Sequence, residues 1–340
     1  MGKQVGKQSI SFDKPIYIRA NTELVGNKEK DGPLGDYFQN IFQDELRSDE
    51  TWEMTEARMQ EQVANRVIEM AGLKKSDIRY AFGGDLMAQL MATTFGMRDL
   101  EIPFYGVFGA CSTFGSSMQL ASIMVDAGLA DNVLAISSSH YCSAERQFRF
   151  PVEFGYQRPK SAAWTVTGAG ALLISNVSGQ VKITGMTTGK IVDHGIDDPL
   201  NMGGAMAPAA TDTIVRHFKD FGTTPKDYDL IVTGDLGVYG TKFLHKLAND
   251  EGYDISSNHM DCGAKIFSND EQDTHAGGSG CGCCAVTFSG YLMQKMKQGE
   301  IKKILFAPTG ALLTQVSTNL KETIPSISHA LVIERNEVSK

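Results

Sequence analysis

The stretch that decides the fold is an apolar run broken by small residues, and it reads Val107-Phe108-Gly109-Ala110-Cys111-Ser112-Thr113-Phe114-Gly115-Ser116-Ser117. We expect a buried strand to end before Cys111 and a helix to run from there to about Gly128. A helix N-terminus presents unpaired backbone N–H groups and the positive end of the helix dipole. The stretch therefore predicts a nucleophilic cysteine or an anion site, and the alternative is one more buried, inert cysteine.

The same arrangement recurs in the second part of the chain. Gly72 and Asp85 have identical partners 150 positions later, in Gly222 and Asp235. Further matching pairs are the cysteine turns 109–112 and 279–282, the strands 133–136 and 304–307, and the closing strands 170–174 and 330–333. The chain is thus predicted to be an internal duplication with halves 1–178 and 179–340. Each half alternates strands with buried helices, which predicts mixed α/β sheets covered by helices.

Composition excludes several classes of protein. The chain has 340 residues, of which 42% are hydrophobic and 21% charged, as in ordinary globular proteins. A net charge of -8 without a basic cluster argues against a nucleic-acid partner. The first eight residues lack the apolar region of a signal peptide, and no apolar run is long enough to cross a bilayer. Six cysteines, three of them within 281–284, do not resemble a secreted disulfide framework, so we expect a reducing, cytosolic compartment.

A duplicated α/β chain with a cysteine at the head of a buried helix resembles the thiolase superfamily, especially its ketoacyl-synthase III branch. Gly168-Ala169-Gly170-Ala171 is similar to the glycine-rich closing strand of that branch. The resemblance implies a five-layered αβαβα sandwich built from two duplicated halves, usually dimeric, with the active site where the halves meet. It also implies that the cysteine carries an acyl group, while a His and an Asn, His or Cys of the second half complete the chemistry.

The second half departs from that pattern. The strand expected to deliver the His reads Thr233-Gly234-Asp235-Leu236-Gly237, and the stretch expected to carry the Asn reads Ala276-Gly277-Gly278-Ser279-Gly280-Cys281. A carboxylate cannot donate to a developing oxyanion unless it is protonated. We therefore predict a pseudoenzyme. The alternatives are a Cys-dependent acyl-CoA or acyl-carrier condensing enzyme or acyltransferase, and a structural scaffold with a vestigial pocket.

A closer resemblance is to the stage V sporulation protein AD family. It rests on five segments in order, namely 28–35, 108–113, 144–149, 206–210 and 277–281. The resemblance implies binding of dipicolinic acid (pyridine-2,6-dicarboxylate), with the calcium chelate as the expected form of the ligand, during loading of the forespore. It further implies partnership with the other stage V sporulation A membrane proteins and a peripheral position on the cytoplasmic face of the spore inner membrane. We expect no resident cofactor, with Ca²⁺ carried by the ligand.

Seven residues are predicted to contact this ligand: Cys111, Ser112, Asp85, His140, Asp235, Ser279 and His329. The turn at Cys111 and Ser112 offers backbone donors to a carboxylate. His140 leaves a strand end, and His329 aligns with Gly170 of the first half. The alternatives are a helix cap or loop residue for His140, a satisfied core residue for His329, and helix N-caps for the two aspartates. Because two carboxylates repel a dianion, protonation or calcium must neutralise them.

Two further clusters contain side chains that can bind a metal ion or form ion pairs. Cys281, Cys283 and Cys284, with Cys262 and His275 upstream, have poor spacing for a closed zinc site, so no metal is predicted. Glu145, Arg146 and Arg149 are expected to be solvated or to lie at a dimer interface, with Arg146 as the cation nearest the site.

Overall fold

The structure is a computed structural model, and it describes residues 2–43, 51–148, 158–177 and 179–336. The strands are β1 (Lys3–Val5), β2 (Ser9–Val25), β3 (Tyr80–Gly84), β4 (Phe104–Gly106), β5 (Asn132–Ser139), β6 (Trp164–Thr165), β7 (Gly168–Ser175), β8 (Val181–Thr187), β9 (Leu230–Thr233), β10 (His259–Asp261), β11 (Gly278–Ser279), β12 (Lys303–Ala307), β13 (Thr309–Ala311), β14 (Ser326–Ser328) and β15 (Ala330–Arg335). The helices are α1 (Asn27–Lys30), α2 (Trp52–Met70), α3 (Met91–Arg98), α4 (Thr113–Asp126), α5 (Tyr141–Phe148), α6 (Met202–Phe221), α7 (Gly237–Asp250), α8 (Cys262–Ile266), α9 (Cys281–Thr287), α10 (Met293–Gln298) and α11 (Gln315–Asn319).

The strands of the two halves form one sheet. Within the described residues its order is β10-β9-β12-β15-β8-β2-β7-β5-β3-β4, with β1 paired to β2. The innermost strand of each half, β2 and β8, pairs antiparallel, with a shift of register between Ser11 and Ile16. The predicted boundary between the halves lies between the end of β7 and the start of β8, and residue 178 itself is outside the described residues.

Successive side chains of each strand point to opposite faces of the sheet, and this divides the core into layers. Leu172 and Ile174 of β7 pack in one apolar cluster with Phe114 of α4, whereas Leu173 between them packs with Met59 of α2. The second half repeats this pattern. Ile304 and Phe306 of β12 share the central cluster, and Leu305 joins the outer cluster, which includes Ile214 and Leu244 of α6 and α7. One layer of helices thus lies between the two halves of the sheet, and a further layer covers the outer face of each half. This is the αβαβα arrangement predicted.

Local signals explain the helices that position the site. Thr51 caps α2 by accepting a hydrogen bond from the Met54 N–H at 3.3 Å, and Gly72, with φ of 67°, follows its last turn. Helix α4 ends at Asp126, which confirms the helix predicted to follow Cys111. The second cysteine turn opens α9, which continues through a π-helical turn at Phe288–Leu292 into α10, as predicted for that half.

One prediction about this region is wrong. The strand before Cys111, β4, is not buried, and the side chains of Tyr105 and Phe108 are 50% and 48% exposed. The reason is its place in the sheet, because β4 pairs with β3 on one side and is the last strand in the order. No helix in the described part of the chain is long and apolar enough to cross a membrane.

Candidate functional site

The cysteine turn is tightly closed on itself. Ala110 has a φ of 49°, which is uncommon for a residue with a side chain, and it begins a 3-10 turn that runs to Ser112. The Ser112 N–H and hydroxyl both donate to the Gly109 carbonyl oxygen, at 3.0 and 2.7 Å. The donors that Ser112 was predicted to offer a ligand are therefore already used within the turn.

Strand β13 lies directly over this turn. A Cβ atom added at Gly310 would be 2.0 Å from the Gly109 carbonyl oxygen and 3.2 Å from the Cys111 nitrogen. Only glycine therefore allows the two backbones to approach this closely. The Cys111 side chain is consequently only 5% exposed.

The structure brings three of the predicted residues together around the Cys111 thiol. Its Sγ lies 4.0 Å from the Ser279 hydroxyl oxygen, and that hydroxyl donates to Oδ2 of Asp235 at 3.0 Å. The Gly280 N–H donates to the same carboxyl oxygen at 3.1 Å. Burial raises the pKa of Asp235 to about 7. Burial first, and then the carboxylate of Asp235, raise the pKa of the Cys111 thiol well above its ordinary value.

Asp85 lies in a second acidic cluster and is fully engaged in local structure. Its Oδ1 accepts from the Met87 N–H at 2.8 Å, and its Oδ2 accepts from the N–H and the hydroxyl of Thr93 at 2.7 and 2.6 Å. These bonds fix the chain that leads into α3, so Asp85 has the capping role that was weighed as the alternative to ligand binding. Burial raises its pKa as well.

Glu56 of α2 completes this second cluster, and the sequence interpretation missed it. Its two carboxyl oxygens accept from the hydroxyls of Ser138 and Ser143, both at 2.7 Å. Burial and then the charge of Asp85 raise the pKa of Glu56 to about 8. A signal existed, because Glu56 falls at helical spacing from Met59 and Val63 and so on the buried face of α2.

Cys281 lies near the second acidic cluster. Its thiol donates to the Ser138 carbonyl oxygen at 2.9 Å. Burial raises the pKa of Cys281 well above its ordinary value, and Cys111, Glu56 and Asp85 raise it further. Cys281 is therefore close to both Cys111 and the carboxyl groups of Glu56 and Asp85.

A second residue that the sequence interpretation missed is Asp261. It caps α7 by accepting from the N–H groups of Leu236 and Gly237, both at 2.9 Å, and it also accepts from the Thr233 hydroxyl at 2.7 Å. This was the alternative role considered for Asp235. Burial raises the pKa of Asp261.

The two predicted histidines have structural contacts. His140 is buried at the end of β5, where its Nδ1 accepts from the Cys142 N–H at 3.2 Å and its ring packs against Trp52 at 5.2 Å between centroids. His329 accepts the Gly189 N–H on its Nδ1 at 3.3 Å. Burial lowers the pKa of His329 to about 4, so it is neutral at pH 7. Both contacts match the cap and core alternatives.

A cavity of about 450 Å³ adjoins the cysteine turn. Leu86, one of its walls, belongs to the same apolar cluster as Cys111 and Cys281. The cavity carries no charged side chain among its lining residues, which are Leu86, Met87, Ala88, Gln89, Leu90, Phe108, Leu313, Thr314, Gln315 and Val316.

The remaining predicted clusters lie apart from the thiol. In the ranges that the structure describes, no three His, Cys, Asp or Glu side chains are arranged to hold a metal ion. Cys262, Cys283 and Cys284 are buried free thiols. Arg146 is exposed and lies 3.4 Å from Glu53, and Arg149 is outside the described residues.

Comparison with known proteins identifies the family. A family model described as stage V sporulation protein AD matches residues 6–334. The chain belongs to the stage V sporulation protein AD family. One member, Stage V sporulation protein AD of Bacillus subtilis (strain 168), is 43% identical over 333 residues, which cover 98% of each chain. Sporulation is therefore the process in which this family works.

Solved structures show which fold the family shares. The 3-oxoacyl-[acyl-carrier-protein] synthase III of Aquifex aeolicus VF5 superposes with a TM-score of 0.57 at 13% identity, over 94% of this chain and 99% of that one. An OleA variant from Xanthomonas campestris gives a TM-score of 0.61 at 12% identity, over 95% and 99%. These likenesses confirm the thiolase-like fold predicted from the sequence, and at such identity they show the fold alone.

Proposed function

We propose that this protein binds dipicolinate without condensing activity and supports its uptake into the developing spore. Membership of the stage V sporulation protein AD family supports the role in sporulation. The observation that carries the non-catalytic part is the buried carboxyl of Asp235, which lies beside Cys111 and accepts from Ser279 and Gly280.

This carboxyl opposes both requirements of acyl chemistry. The thiolate is the nucleophilic form of cysteine, and burial, followed by the charge of Asp235, raises the pKa of the Cys111 thiol. A thioester oxyanion also needs hydrogen-bond donors, whereas the Asp235 carboxylate accepts hydrogen bonds from its neighbours. The alternative, an acyltransferase or condensing enzyme, is favoured by the apolar cavity next to Cys111. It would need Asp235 to be protonated and to donate.

The cavity suits a small flat ligand in size and lining. Small-molecule sites usually occupy about 300–1,000 Å³ and are mostly apolar. Here Phe108 and Leu90 offer flat apolar walls, and Gln89 and Thr314 offer polar groups. The dianion must still approach two buried acidic clusters, which repel it unless they are neutral. Protonation of Asp235, whose pKa is about 7, is one way, and calcium carried by the ligand is the other.

Titration calorimetry tests the proposal with free dipicolinate and with its calcium chelate. We expect one ligand per chain, tighter binding of free dipicolinate at pH 6 than at pH 8, and no change in intact mass after incubation with acetyl- or malonyl-coenzyme A. The absence of heat with both ligand forms would overturn the binding function. A stable acyl adduct on Cys111 would favour the enzyme instead.

We further propose a homodimer, partnership with the stage V sporulation A membrane proteins, and a peripheral position on the cytoplasmic face of the spore inner membrane. The exposed end strand β4, with Tyr105 half exposed, supports the dimer, because an open sheet edge readily pairs with a second chain. Light scattering of the calorimetry sample reports its mass. A monomer would overturn this part alone.

A further inference from the structure

Two cations meet over one aromatic ring on the face of the molecule near β6. Lys28 Nζ lies 4.3 Å from the centroid of the Trp164 ring, and Arg158 Cζ lies 4.9 Å from it. The Tyr141 ring stacks on the same indole at 4.0 Å with an interplanar angle of 12°. Burial lowers the pKa of Lys28; the Glu29 carboxylate acts to raise it, and the charge of Arg158 acts to lower it. Arg158 is therefore near enough to disfavour the charged form of Lys28.

Arg158 has a buried donor that no described group accepts. Its Nη2 donates to Oδ2 of Asp273 at 3.0 Å and to the Asp273 carbonyl oxygen. Its Nη1 is buried and has no hydrogen-bond partner. Buried donors are nearly always paired, and an unpaired donor on a charged group is costly, so this nitrogen points to an acceptor supplied from outside the chain.

Lys28 is placed to share such an acceptor. Its Nζ donates to the Gln272 carbonyl oxygen at 2.6 Å, and an ammonium group has three donors. The negative groups nearby are Glu29, which accepts from the Thr167 N–H, and Asp273, which is 75% exposed and is also bound by Nε2 of His275 at 2.9 Å. Asp273 is thus an exposed carboxylate that already accepts a hydrogen bond from the Arg158 guanidinium.

Strand pairing connects this cluster to the candidate site. Strand β6 runs parallel to β11, with Trp164 opposite Gly278 and Thr165 opposite Ser279. Ser279 is the residue whose hydroxyl contacts Asp235 and lies 4.0 Å from the Cys111 thiol. The backbone of Trp164, whose ring both cations cover, therefore lies one residue away, across a strand pair, from Ser279 of the acidic site. Successive side chains of a strand point to opposite faces, so the indole and its cations lie on the face of this pair opposite to the Ser279 side chain.

We propose that Lys28 and Arg158 form a carboxylate-binding site next to the β6–β11 strand pair, and that it holds one carboxylate of an aromatic dicarboxylate. This inference rests on the proposed function for the choice of ligand. An ionised carboxylate accepts charge-assisted hydrogen bonds from both side chains. The carboxylate of Asp273 competes for Arg158, so the incoming group must displace it or share the guanidinium with it.

Titration calorimetry with dipicolinate and with isophthalate tests the site, since isophthalate has the same two carboxylates but lacks the ring nitrogen that chelates calcium. We expect Lys28→Met and Arg158→Gln each to weaken binding of both ligands about tenfold, which is the scale of one charge-assisted bond. Asp273→Asn should tighten binding, because it removes the competing carboxylate. The control is Lys242→Met, since Lys242 also lies over an aromatic ring, 5.7 Å from the centroid of Tyr239, and should have no effect.

The outcomes separate this inference from the proposed function. Wild-type affinity for dipicolinate in well-folded Lys28→Met and Arg158→Gln would overturn the cation site and leave the proposed function standing. Binding of isophthalate that depends on Lys28, with no binding of dipicolinate, would support the cation site and overturn the proposed function. Binding of neither ligand would overturn both. If Lys28→Met melts at a lower temperature, Lys28→Arg replaces it, and its retained charge should retain binding.

Discussion

Asp85 and Asp235 occupy equivalent positions in the two halves, but they do different things. Asp85 accepts three hydrogen bonds from the chain that leads into α3. In the second half Asp261, and not Asp235, accepts hydrogen bonds from the N–H groups at the start of α7. Asp235 instead accepts hydrogen bonds from Ser279 and Gly280 beside Cys111. The duplication thus preserves the backbone path while one added cap in the second half makes its aspartate available to the site.

The two cysteine turns differ in the same way. Each cysteine follows a residue with positive φ, which is 49° at Ala110 and 103° at Gly280. Cys281 donates to the Ser138 carbonyl oxygen, a purely structural bond, whereas Cys111 lies beside Asp235. Phe108, just before the first turn, lines the cavity, and no residue of the second turn is among the lining residues, so it is the first turn that adjoins this space.

The largest expected loss is in the free energy of unfolding, and it distinguishes the backbone conformations of the two cysteine turns. Gly280→Ala should lower the free energy of unfolding by about 3 kcal/mol, because φ of 103° is strained for alanine and the new Cβ would lie 2.7 Å from the Ser139 hydroxyl oxygen. Ala110→Gly should change it by less than about 1 kcal/mol, since glycine tolerates the turn but gains freedom when unfolded. Urea unfolding of both variants measures this. Equal losses of stability would contradict the proposed difference between the two turns.

A smaller effect separates the two aspartates. Asp85→Asn should lower the free energy of unfolding by about 2 kcal/mol at pH 4, because one carbonyl oxygen cannot accept all three bonds and the amide would place a donor against an N–H group. The loss should shrink as the pH rises, because burial raises the pKa of Asp85 and the wild type therefore loses stability above the unfolded pKa of about 4. Thermal melts across the pH range check this. No loss at pH 4 would show that the hydrogen bonds of Asp85 do not stabilise the fold.

A pH-dependent stability effect concerns Asp235 as well. Its folded pKa of about 7 lies above the unfolded value, so the folded state binds the extra proton and the wild type loses stability as pH rises from about 4 to about 7. Asp235→Asn cannot ionise. Its stability relative to wild type should therefore rise by up to about 4 kcal/mol across that window and then level off. A difference that does not vary with pH would mean that Asp235 is ionised when buried.

Much of the fold could be predicted because it depends on local patterns. Helix α2 follows from the spacing of Met59 and Val63, and the repeat 150 positions apart places β3 and β9 in equivalent positions. The exposure of β4 could not be predicted, since it depends on which strand lacks a second neighbour in the folded sheet.

The details of the site were less predictable because they depend on long-range contacts. Asp261 is the N-cap of α8, where it accepts from the Ala264 N–H, but its bonds to the start of α7, 24 positions earlier in the chain, are indicated by no local motif. Lys28, Arg158 and Trp164 meet only after the sheet has formed, and no local pattern relates them. Cys111, Asp235 and Ser279 were among the seven residues predicted to share a ligand site, because the duplication and the resemblance to thiolases place them at the turns where the halves meet.

Burial and the Asp235 carboxylate together hold Cys111 in the unreactive thiol form, and a pH titration of the protein labelled with ¹³C at the cysteine β carbons tests this most directly. We expect the Cys111 signal of the wild type to stay in the thiol state above the ordinary thiol pKa of about 8.5. Asp235→Asn should move its ionisation to lower pH, and Asp85→Asn, the matched control, should not. Ionisation of Cys111 below about pH 8 in the wild type, or identical titration in the wild type and Asp235→Asn, would contradict the account.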